Sequence, residues 1–340
     1  MMPLEKESDA LNSQPEVLVA QELQKSYDSR PALHNLSFSL RAGRILGFLG
    51  PNGAGKTTAI RILTTILEPD SGYFFVEGIG SEFPDKIRSR IGVLPESLGF
   101  PKQINAIEFL MYFGQLYGQN ANDARTNALA LLEEVGLQQR GKSQIGTYSR
   151  GMRQRLGIAR ALINNPAVVF LDEPTLGLDP RGQQDLLKLI RWIAHERNAG
   201  VVLCSHLLAE IDGICDDVVI LNFGQVVVRG SVADVIGRME QDSLLRNAPR
   251  VRVPSLSVAE AQKILEKVPN VQNVFPVGEL DGWLQIELAN PTNGNSSKEN
   301  LSNNLILEEL IRAKIPIMNF EARGNRLQDV FLQLTEETIE

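Results

Sequence analysis

A glycine-rich octapeptide, Gly50–Thr57, carries the most specific chemical signal in the sequence. It reads G-P-N-G-A-G-K-T and matches the pattern G-x-x-x-x-G-K-[ST]. Glycines let the backbone curl so that successive N–H groups point at one anion, and the helix that follows would present its positive N-terminal end to that anion. Lys56 could reach phosphate oxygens, and the Thr57 hydroxyl could bind Mg²⁺. The pattern therefore predicts a phosphate-binding loop.

The sequence around this loop favours a nucleotide site over the alternative, a plain glycine-rich turn. An apolar strand is predicted at Ile45–Leu49, directly before the loop, and helical periodicity is present over Thr58–Leu67, directly after it. The residues expected to bind the nucleotide here are Gly50, Pro51, Asn52, Gly53, Ala54, Gly55, Lys56, Thr57 and Thr58.

Two acidic residues, Asp172 and Glu173, follow the apolar run Ala167–Leu171. At the carboxyl end of such a strand, Asp172 would lie beside the phosphate loop and hold Mg²⁺ directly or through water. Glu173 would point the other way and could polarise an attacking water. An acidic strand end alone is more often a solvated turn, but the phosphate loop upstream favours the catalytic interpretation.

The elements that must position these residues alternate between strand and helix from Val17 to about residue 235. The runs 45–49, 167–171 and 200–204 are apolar throughout, as expected for parallel strands covered on both faces. Strands alternating with helices indicate an α/β domain with a mainly parallel sheet. Residues 1–16 are polar and contain proline, which predicts a flexible N-terminal tail.

A different order of elements follows, over about residues 240–340. Its pattern predicts β-α-β-β-α-β, the order of a ferredoxin-like α+β unit, with Ser257 as a helix cap and a flexible Asn- and Ser-rich loop at 290–304. Leu327, Val330, Phe331 and Leu334 are spaced as one helix face, which needs a partner surface. We expect an accessory module that packs on the first domain; a dispensable extension is the alternative.

Four further segments resemble the motifs of ATP-binding cassette (ABC) proteins. Tyr148–Met152, Y-S-R-G-M, stands where that family has the L-S-G-G-Q signature, and Gly177–Asp179 resembles the short loop after the acidic pair. The segment 204–206 resembles the strand end with the switch histidine, and Tyr27 resembles the aromatic residue that stacks on adenine. Since order and spacing match over about residues 17–235, the chain is identified as a member of this family.

The resemblance implies a fold, cofactors and residue roles. The fold is a P-loop nucleotide-binding cassette with a helical subdomain at about 98–160, and the cofactors are ATP and Mg²⁺. The implied catalytic residues are Lys56, Glu173 and His206. The implied metal ligands are Thr57, Asp172 and Glu96, the last at a position where the family has Gln. The signature residues Ser149, Arg150, Gly151 and Met152 would contact the ATP of a partner subunit, and Asp179 would belong to the dimer loop.

Each of these side chains also has a purely structural alternative. Ser149 could be an ordinary N-cap, and Arg150, Arg153 and Arg155 could merely solubilise their helix. A lone histidine such as His206 is usually structural, and Tyr27 could belong to the core. Most of the aromatic residues between the phosphate loop and the signature are expected to form the core of the helical subdomain; they are Phe100, Phe109, Tyr112, Phe113 and Tyr117.

Composition narrows the classes of function. The 340 residues carry 34 Lys+Arg against 41 Asp+Glu, a net charge of −7, which disfavours a nucleic-acid footprint over the whole chain. The two cysteines, Cys204 and Cys215, fit neither a disulfide framework nor a metal set, which predicts a reduced cytosolic setting. No run approaches the ~18 apolar residues that a membrane-spanning helix needs, and the N-terminus lacks the pattern of a secretory signal.

The expected function follows from the family and from a subfamily resemblance. The segments Tyr148–Met152, Leu94–Glu96 and Leu327–Leu332 are similar to those of ATPase subunits of bacterial drug and lipid exporters. This implies a peripheral subunit at the cytoplasmic face of the inner (plasma) membrane, which works with integral membrane permease subunits encoded separately. With a single cassette, the chain must form a homodimer or a heterodimer of cassettes.

The alternative function is a non-transport cassette ATPase that acts on nucleic acid or ribosomes. Such proteins usually carry two cassettes, a coiled-coil insertion or zinc cysteines, and the sequence has none of these. We therefore expect transport, with no nucleic-acid partner.

Overall fold

The computed structural model describes residues 14–28, 30–97, 99–205, 213–236, 249–277, 282–288 and 296–321; in the last range, side chains are described from 304 onward. The chain divides into two compact units, the first ending at Val232 and the second beginning at Ala233. His206, the stripe Leu327–Leu334 and most of the predicted N-terminal tail lie outside the described residues. Within the described ranges, no helix has the length and apolar character needed to cross a membrane.

The first unit consists of strands and helices. Its strands are β1 (Glu16–Tyr27), β2 (Arg30–Arg41), β3 (Ile45–Leu49), β4 (Ser71–Val76), β5 (Ile79–Gly80), β6 (Ile91–Leu94), β7 (Val168–Asp172), β8 (Gly200–Cys204), β9 (Asp217–Asn222) and β10 (Gln225–Ser231). Its helices are α1 (Lys56–Leu63), α2 (Pro84–Arg88), α3 (Ala106–Leu116), α4 (Ala121–Glu134), α5 (Arg150–Ala161) and α6 (Pro180–Glu196). In this unit helices separate β3, β6, β7 and β8, as the sequence predicts, whereas β1, β2 and β3 follow one another directly, as do β4 and β5.

A six-stranded sheet in the order β10-β9-β3-β8-β7-β6 forms the centre of this unit. All its strand pairs are parallel except β9 with β10, which confirms the mainly parallel sheet. In register, Phe48 of β3 pairs with Cys204 of β8, and Cys204 pairs with Asp172 of β7. The carboxyl ends of these three strands therefore meet at one edge, where the segments after them carry the predicted site.

A second, antiparallel sheet in the order β2-β1-β4-β5 covers this central sheet. Apolar side chains of both sheets and of α1 form one core, in which the rings of Phe38 and Phe48 lie 5.5 Å apart. Every residue of β3 and β8 is buried, as their continuous apolar sequences predict. This core therefore fixes β3, the strand that leads into the phosphate loop.

Helices α3, α4 and α5 form the helical subdomain predicted at about 98–160. Each begins at a polar residue whose side chain accepts a backbone N–H of the first turn: Asn105 for α3, Asn120 for α4 and Ser149 for α5. Phe109 is buried and lies 5.0 Å, between ring centroids, from the half-buried Phe113. Tyr112 and Tyr117 are exposed, so only part of the predicted aromatic core is buried.

The second unit has the predicted β-α-β-β-α-β order. Its elements are β11 (Arg250–Arg252), α7 (Val258–Leu265), β12 (Val271–Pro276), β13 (Trp283–Leu288), α8 (Ser296–Arg312) and β14 (Asn319–Glu321). They form an antiparallel sheet in the order β12-β13-β11-β14, which is ferredoxin-like. Val251, Leu284 and Ile286 are buried in the core of this unit together with side chains of both helices.

Two local predictions for this unit were wrong. The loop expected at 290–304 is interrupted by α8, which begins at Ser296. Asn and Ser are poor helix formers, but Ile306 and Leu310 are buried in the core, and a helix anchored by packing can extend toward its N-terminus. Ser257 precedes α7 without capping it through its side chain. A 3₁₀ turn at Ser255–Ser257 gives it a helical backbone, whereas a capping residue needs an extended one.

Candidate functional site

The phosphate loop is held against its surroundings by close backbone packing. Gly55 has φ of +101°, and a Cβ atom built on it would lie 2.5 Å from the Ala32 carbonyl oxygen and 2.9 Å from Leu33 Cδ2. The carbonyl of Ala54 accepts the N–H of Gly224 at 3.0 Å. A side chain at position 55 would therefore push the loop away from β2, so the glycine is required by space as well as by conformation.

Lys56 lies at the first residue of α1, and its ammonium group is directed into the loop. Nζ donates to the carbonyl oxygens of Gly50, at 2.5 Å, and Pro51, at 3.1 Å. The first N–H groups of a helix have no acceptor within the helix, so α1 presents free donors beside this cation. Thr57, in the same turn, is exposed. This cluster of donors fits a polyphosphate, and the accessible hydroxyl suits Mg²⁺.

Asp172 lies at the end of β7 among charged neighbours. Burial raises the pKa of its carboxyl group, the carboxylates of Glu173 and Glu96 raise it further, and Lys56 and Arg61 act in the opposite direction. The charged groups that act on Asp172 thus include the predicted ligand Glu96, the predicted base Glu173 and the loop lysine Lys56. Excess negative charge at this edge suits a divalent cation.

Glu173 is fixed by its backbone. Its φ is +49°, in the left-handed region that a residue with a side chain rarely adopts. Its N–H donates to the Cys204 carbonyl at 3.0 Å, and its own carbonyl accepts the N–H of Leu176 at 3.2 Å. Such strain, of the order of 1 kcal/mol, often accompanies a functional position, because the fold must hold the residue in place.

Tyr27 lies at the end of β1, where it pairs with Arg30 of β2. Its side chain is 44% exposed, so the interpretation as a core residue is wrong. Just before it, Asp70 accepts the Ser26 N–H at 2.7 Å and the Lys25 ammonium at 2.6 Å. Asp70 thereby fixes the strand end that carries the tyrosine. No local sequence motif marks this aspartate, since the contact depends on pairing between distant segments.

The signature segment has a buried base and an exposed tip. Tyr148 is 2% exposed, and its hydroxyl donates to the Arg140 carbonyl at 2.8 Å. Burial raises the pKa of this phenol. Ser149 is exposed, and its Oγ accepts the Met152 N–H at 3.3 Å, which confirms it as the N-cap of α5. The buried tyrosine thus anchors the segment while the serine remains accessible.

The three arginines near the start of α5 differ in their surroundings. The guanidinium of Arg150 lies against Gly177, and Nη1 of Arg155 donates to the Val135 carbonyl at 3.0 Å. Arg150 and Arg153 are both exposed. A merely solubilising role is therefore wrong for Arg155, and the exposed Arg150 differs from Arg153 in its packing on Gly177. Gly151 lies close to Leu178: a Cβ built on this glycine would be 3.7 Å from Leu178 Cδ2.

The site residues thus form two clusters in the first unit. One joins the phosphate loop with the acidic edge, and the other joins the signature with the loop 177–179, where Asp179 occupies the N-cap position of α6. Among the described residues, no three His, Cys, Asp or Glu side chains form a metal-binding group. Magnesium bound by Thr57 and Asp172 would therefore need further oxygen ligands from the nucleotide or water.

Comparison with known proteins identifies the family in which this arrangement occurs. Residues 33–176 match the ABC transporter family. The linearmycin resistance ATP-binding protein LnrL of Bacillus subtilis (strain 168) is 30% identical over 95% of this chain and 99% of its own length. The daunorubicin/doxorubicin resistance ATP-binding protein DrrA of Streptomyces peucetius is 32% identical over 96% of this chain and 94% of its own.

Solved structures agree with this placement. An ATP-binding subunit of an ABC transporter superposes with a TM-score of 0.59 and 28% identity, covering 66% of this chain and 93% of its own. Fold, motifs and full-length relatives lead to the same family. The chain belongs to the ABC transporter ATP-binding proteins, and it is an ATPase.

Proposed function

We propose that this chain is the ATP-hydrolysing subunit of an exporter, and that it couples Mg-ATP binding and hydrolysis in a two-subunit sandwich to transport through separate membrane subunits. The observation that carries the proposal is the presence of two complementary clusters in one unit. The phosphate-loop cluster would bind the nucleotide of its own subunit, and the exposed Ser149 would contact the nucleotide of the partner.

In this proposal each residue near the nucleotide has a distinct task. Lys56 and the N–H groups of α1 bind the phosphates, and Tyr27 stacks on adenine. Thr57 and Asp172 would hold Mg²⁺, which would supply charge neutralisation at the phosphates. Glu173 accepts a proton from the attacking water, and its constrained backbone keeps the carboxylate oriented. Glu96 is a further candidate ligand, and the role of His206 rests on the sequence motif.

Pairing of subunits follows from the single signature in the chain. Two identical chains related by a two-fold axis would form two equivalent sites, and a heterodimer with another cassette would satisfy the same requirement. Closure on ATP and opening after hydrolysis would be transmitted to integral membrane permease subunits. The chain would then be peripheral, at the cytoplasmic face of the membrane.

Export is supported by the relatives that align over almost their whole length. LnrL and DrrA are named for resistance to linearmycin and to daunorubicin/doxorubicin. The net charge of −7 disfavours the alternative, a cassette ATPase that acts on nucleic acid or ribosomes. Affinity purification from detergent-solubilised cells separates the two: an integral membrane protein is expected to co-purify, whereas co-purifying ribosomes would support the alternative.

The sandwich is tested with Glu173→Gln. The amide keeps the shape of the side chain but is no base, so we expect the hydrolysis rate to fall at least about a hundredfold while Mg-ATP binding is retained. Because hydrolysis reopens the sandwich, size-exclusion chromatography with Mg-ATP should show a dimer. The matched control is Lys56→Ala/Glu173→Gln, which should stay monomeric. A Glu173→Gln protein that binds ATP yet stays monomeric at every ATP concentration contradicts the proposal.

A further inference from the structure

The contact between Arg150 and Gly177 joins the start of α5 to the loop 177–179. A Cβ atom built on Gly177 would lie 2.6 Å from Cζ and from Nη1 of Arg150, and 2.9 Å from Nε. Three atoms at nearly equal distance mean that the guanidinium plane lies flat over this glycine. Gly177 has φ of +72°, so its conformation also favours glycine.

The partners of this contact belong to segments with known local structure. Arg150 is the first residue of α5, directly after the exposed Ser149. Gly177 follows the turn in which the Glu173 carbonyl accepts the Leu176 N–H, and the Leu178 N–H donates to the Thr175 carbonyl at 3.1 Å. Only four positions separate Gly177 from the candidate base. A displacement of the signature end of α5 would therefore act on the turn that begins at Glu173.

The residue type at position 150 is what makes this contact possible. The family signature L-S-G-G-Q has glycine where this sequence has Arg150, and glycine has no side chain to cover the loop. Arginine suits the position because its guanidinium is planar and can stack on a peptide, whereas lysine presents a compact, strongly hydrated charge. The departure from the family pattern and the close approach thus involve the same residue.

We propose that Arg150 is a positioning residue, which makes the signature end of α5 and the turn after Glu173 move as one piece. This inference rests on the proposed sandwich. When Ser149 contacts the nucleotide of the partner subunit, the effect is transmitted through Arg150 to Glu173 of the same chain as Ser149. Arg150 then acts on the rate of hydrolysis through the loop 177–179 and not through the affinity of its own phosphate loop.

The test is a double-mutant cycle in the full-length protein with Arg150→Ala, Gly177→Ala and the double variant. Arg150→Ala is expected to lower kcat about three- to tenfold, while the Kd for a fluorescent ATP analogue and the Tm are unchanged. Gly177→Ala should lower kcat more when Arg150 is present, because the methyl group must displace the guanidinium. The strain of the left-handed backbone is the same in both backgrounds and cancels.

Two further variants complete the experiment. Arg150→Lys should recover only part of the lost rate, and Arg153→Ala, an exposed arginine on the same helix, should keep the wild-type kcat. The inference is overturned if Arg150→Ala keeps the wild-type kcat, if the two substitutions act independently, or if Arg153→Ala has the same effect. Failure of the sandwich itself would show separately, as a Glu173→Gln protein that does not dimerise with Mg-ATP.

Discussion

The two units of the chain are both built from strands and helices, yet their sheets distribute chemistry differently. In the first unit β3, β7 and β8 run parallel, so the phosphate loop after β3, Asp172 at the end of β7 and Ser205 after β8 lie at one edge of the sheet. In the second unit strands that pair in the sheet run antiparallel, so the carboxyl ends of neighbouring strands lie at opposite edges. Parallel pairing therefore concentrates functional segments, and antiparallel pairing disperses them.

Burial shows the same contrast. Both faces of β3 and β8 are covered, and this rigidity suits strands that must hold a loop against a nucleotide. Strand β12 has a single buried residue, Val274, among half-buried and exposed ones. As an edge strand of its sheet, β12 is thus covered less than the central strands of the first unit.

The largest effect is expected from a substitution in the phosphate loop, at the edge where the parallel strands end. Lys56→Ala removes the cation that would meet the phosphates, and we expect a loss of ATPase activity of about a hundredfold or more with the fold retained. Phosphate-release kinetics and circular dichroism measure the two parts of this prediction. Lys142→Ala, at an exposed position away from the loop, is the control. If the Lys56→Ala protein hydrolysed ATP at the wild-type rate, the assignment of Gly50–Thr57 as the phosphate-binding loop would be wrong.

A smaller effect is expected at the antiparallel sheet of the first unit. Tyr27→Ala should weaken ATP binding about tenfold, because stacking on the base is lost while the phosphate contacts remain. Tyr27→Phe keeps the ring and should bind like the wild type. Titration of a fluorescent ATP analogue measures both constants. Equal affinities for the Ala and Phe variants would mean that the ring does not stack on adenine.

Removal of the second unit is expected to have a moderate effect that differs in kind. A chain ending at residue 236 should bind ATP normally but show weaker ATP-dependent dimerisation or an altered ATPase rate. Binding titrations, chromatography in the Glu173→Gln background and turnover assays separate these properties. If dimerisation and rate both remain unchanged, alone and with the membrane subunit, the second unit is a dispensable extension.

The smallest effect concerns the support of Tyr27. Asp70→Asn removes the charge that pairs with Lys25, and ATP affinity should fall by only a fraction of the Tyr27→Ala loss. The hydrogen bonds from Lys25 and Ser26 hold the pKa of Asp70 below its usual value. The contact therefore stabilises the strand end at pH above the ordinary aspartate range, and its contribution is lost as the pH falls through the lowered pKa. A variant that loses as much affinity as Tyr27→Ala contradicts this ranking.

The sequence predicted the elements of the first unit best where the residues of a single segment are enough to define a strand. The strands Ile45–Leu49 and Gly200–Cys204 have the bounds that their apolar runs indicate, because continuous burial leaves an unbroken pattern. Helix α8 could not be bounded in this way, since its start depends on packing of residues that lie further along the chain. The bounds of an element cannot be predicted from its own residues when contacts with distant parts of the chain stabilise it.

The candidate site shows the same limit. The glycine spacing of the phosphate loop and the acidic pair are readable because the chemistry requires fixed residue types at fixed positions. The close approach of Ala32 to Gly55, the hold of Asp70 on Ser26 and the cover of Arg150 on Gly177 join segments that are far apart in sequence. Spacing along one chain carries no information about such approaches, so they required the fold.

The hold of Lys56 on the carbonyl groups of Gly50 and Pro51 has a consequence for the entry of an anion. Carbonyl oxygens repel phosphate, and the ammonium group neutralises two of them at the mouth of the loop. When phosphate binds, its oxygens replace the two carbonyl oxygens as acceptors of Lys56 Nζ. Because the backbone needs little rearrangement for this exchange, association is expected to be fast. A neutral side chain of the same length would lose the attraction and also leave the two oxygens uncovered, so charge removal at this position hinders entry twice.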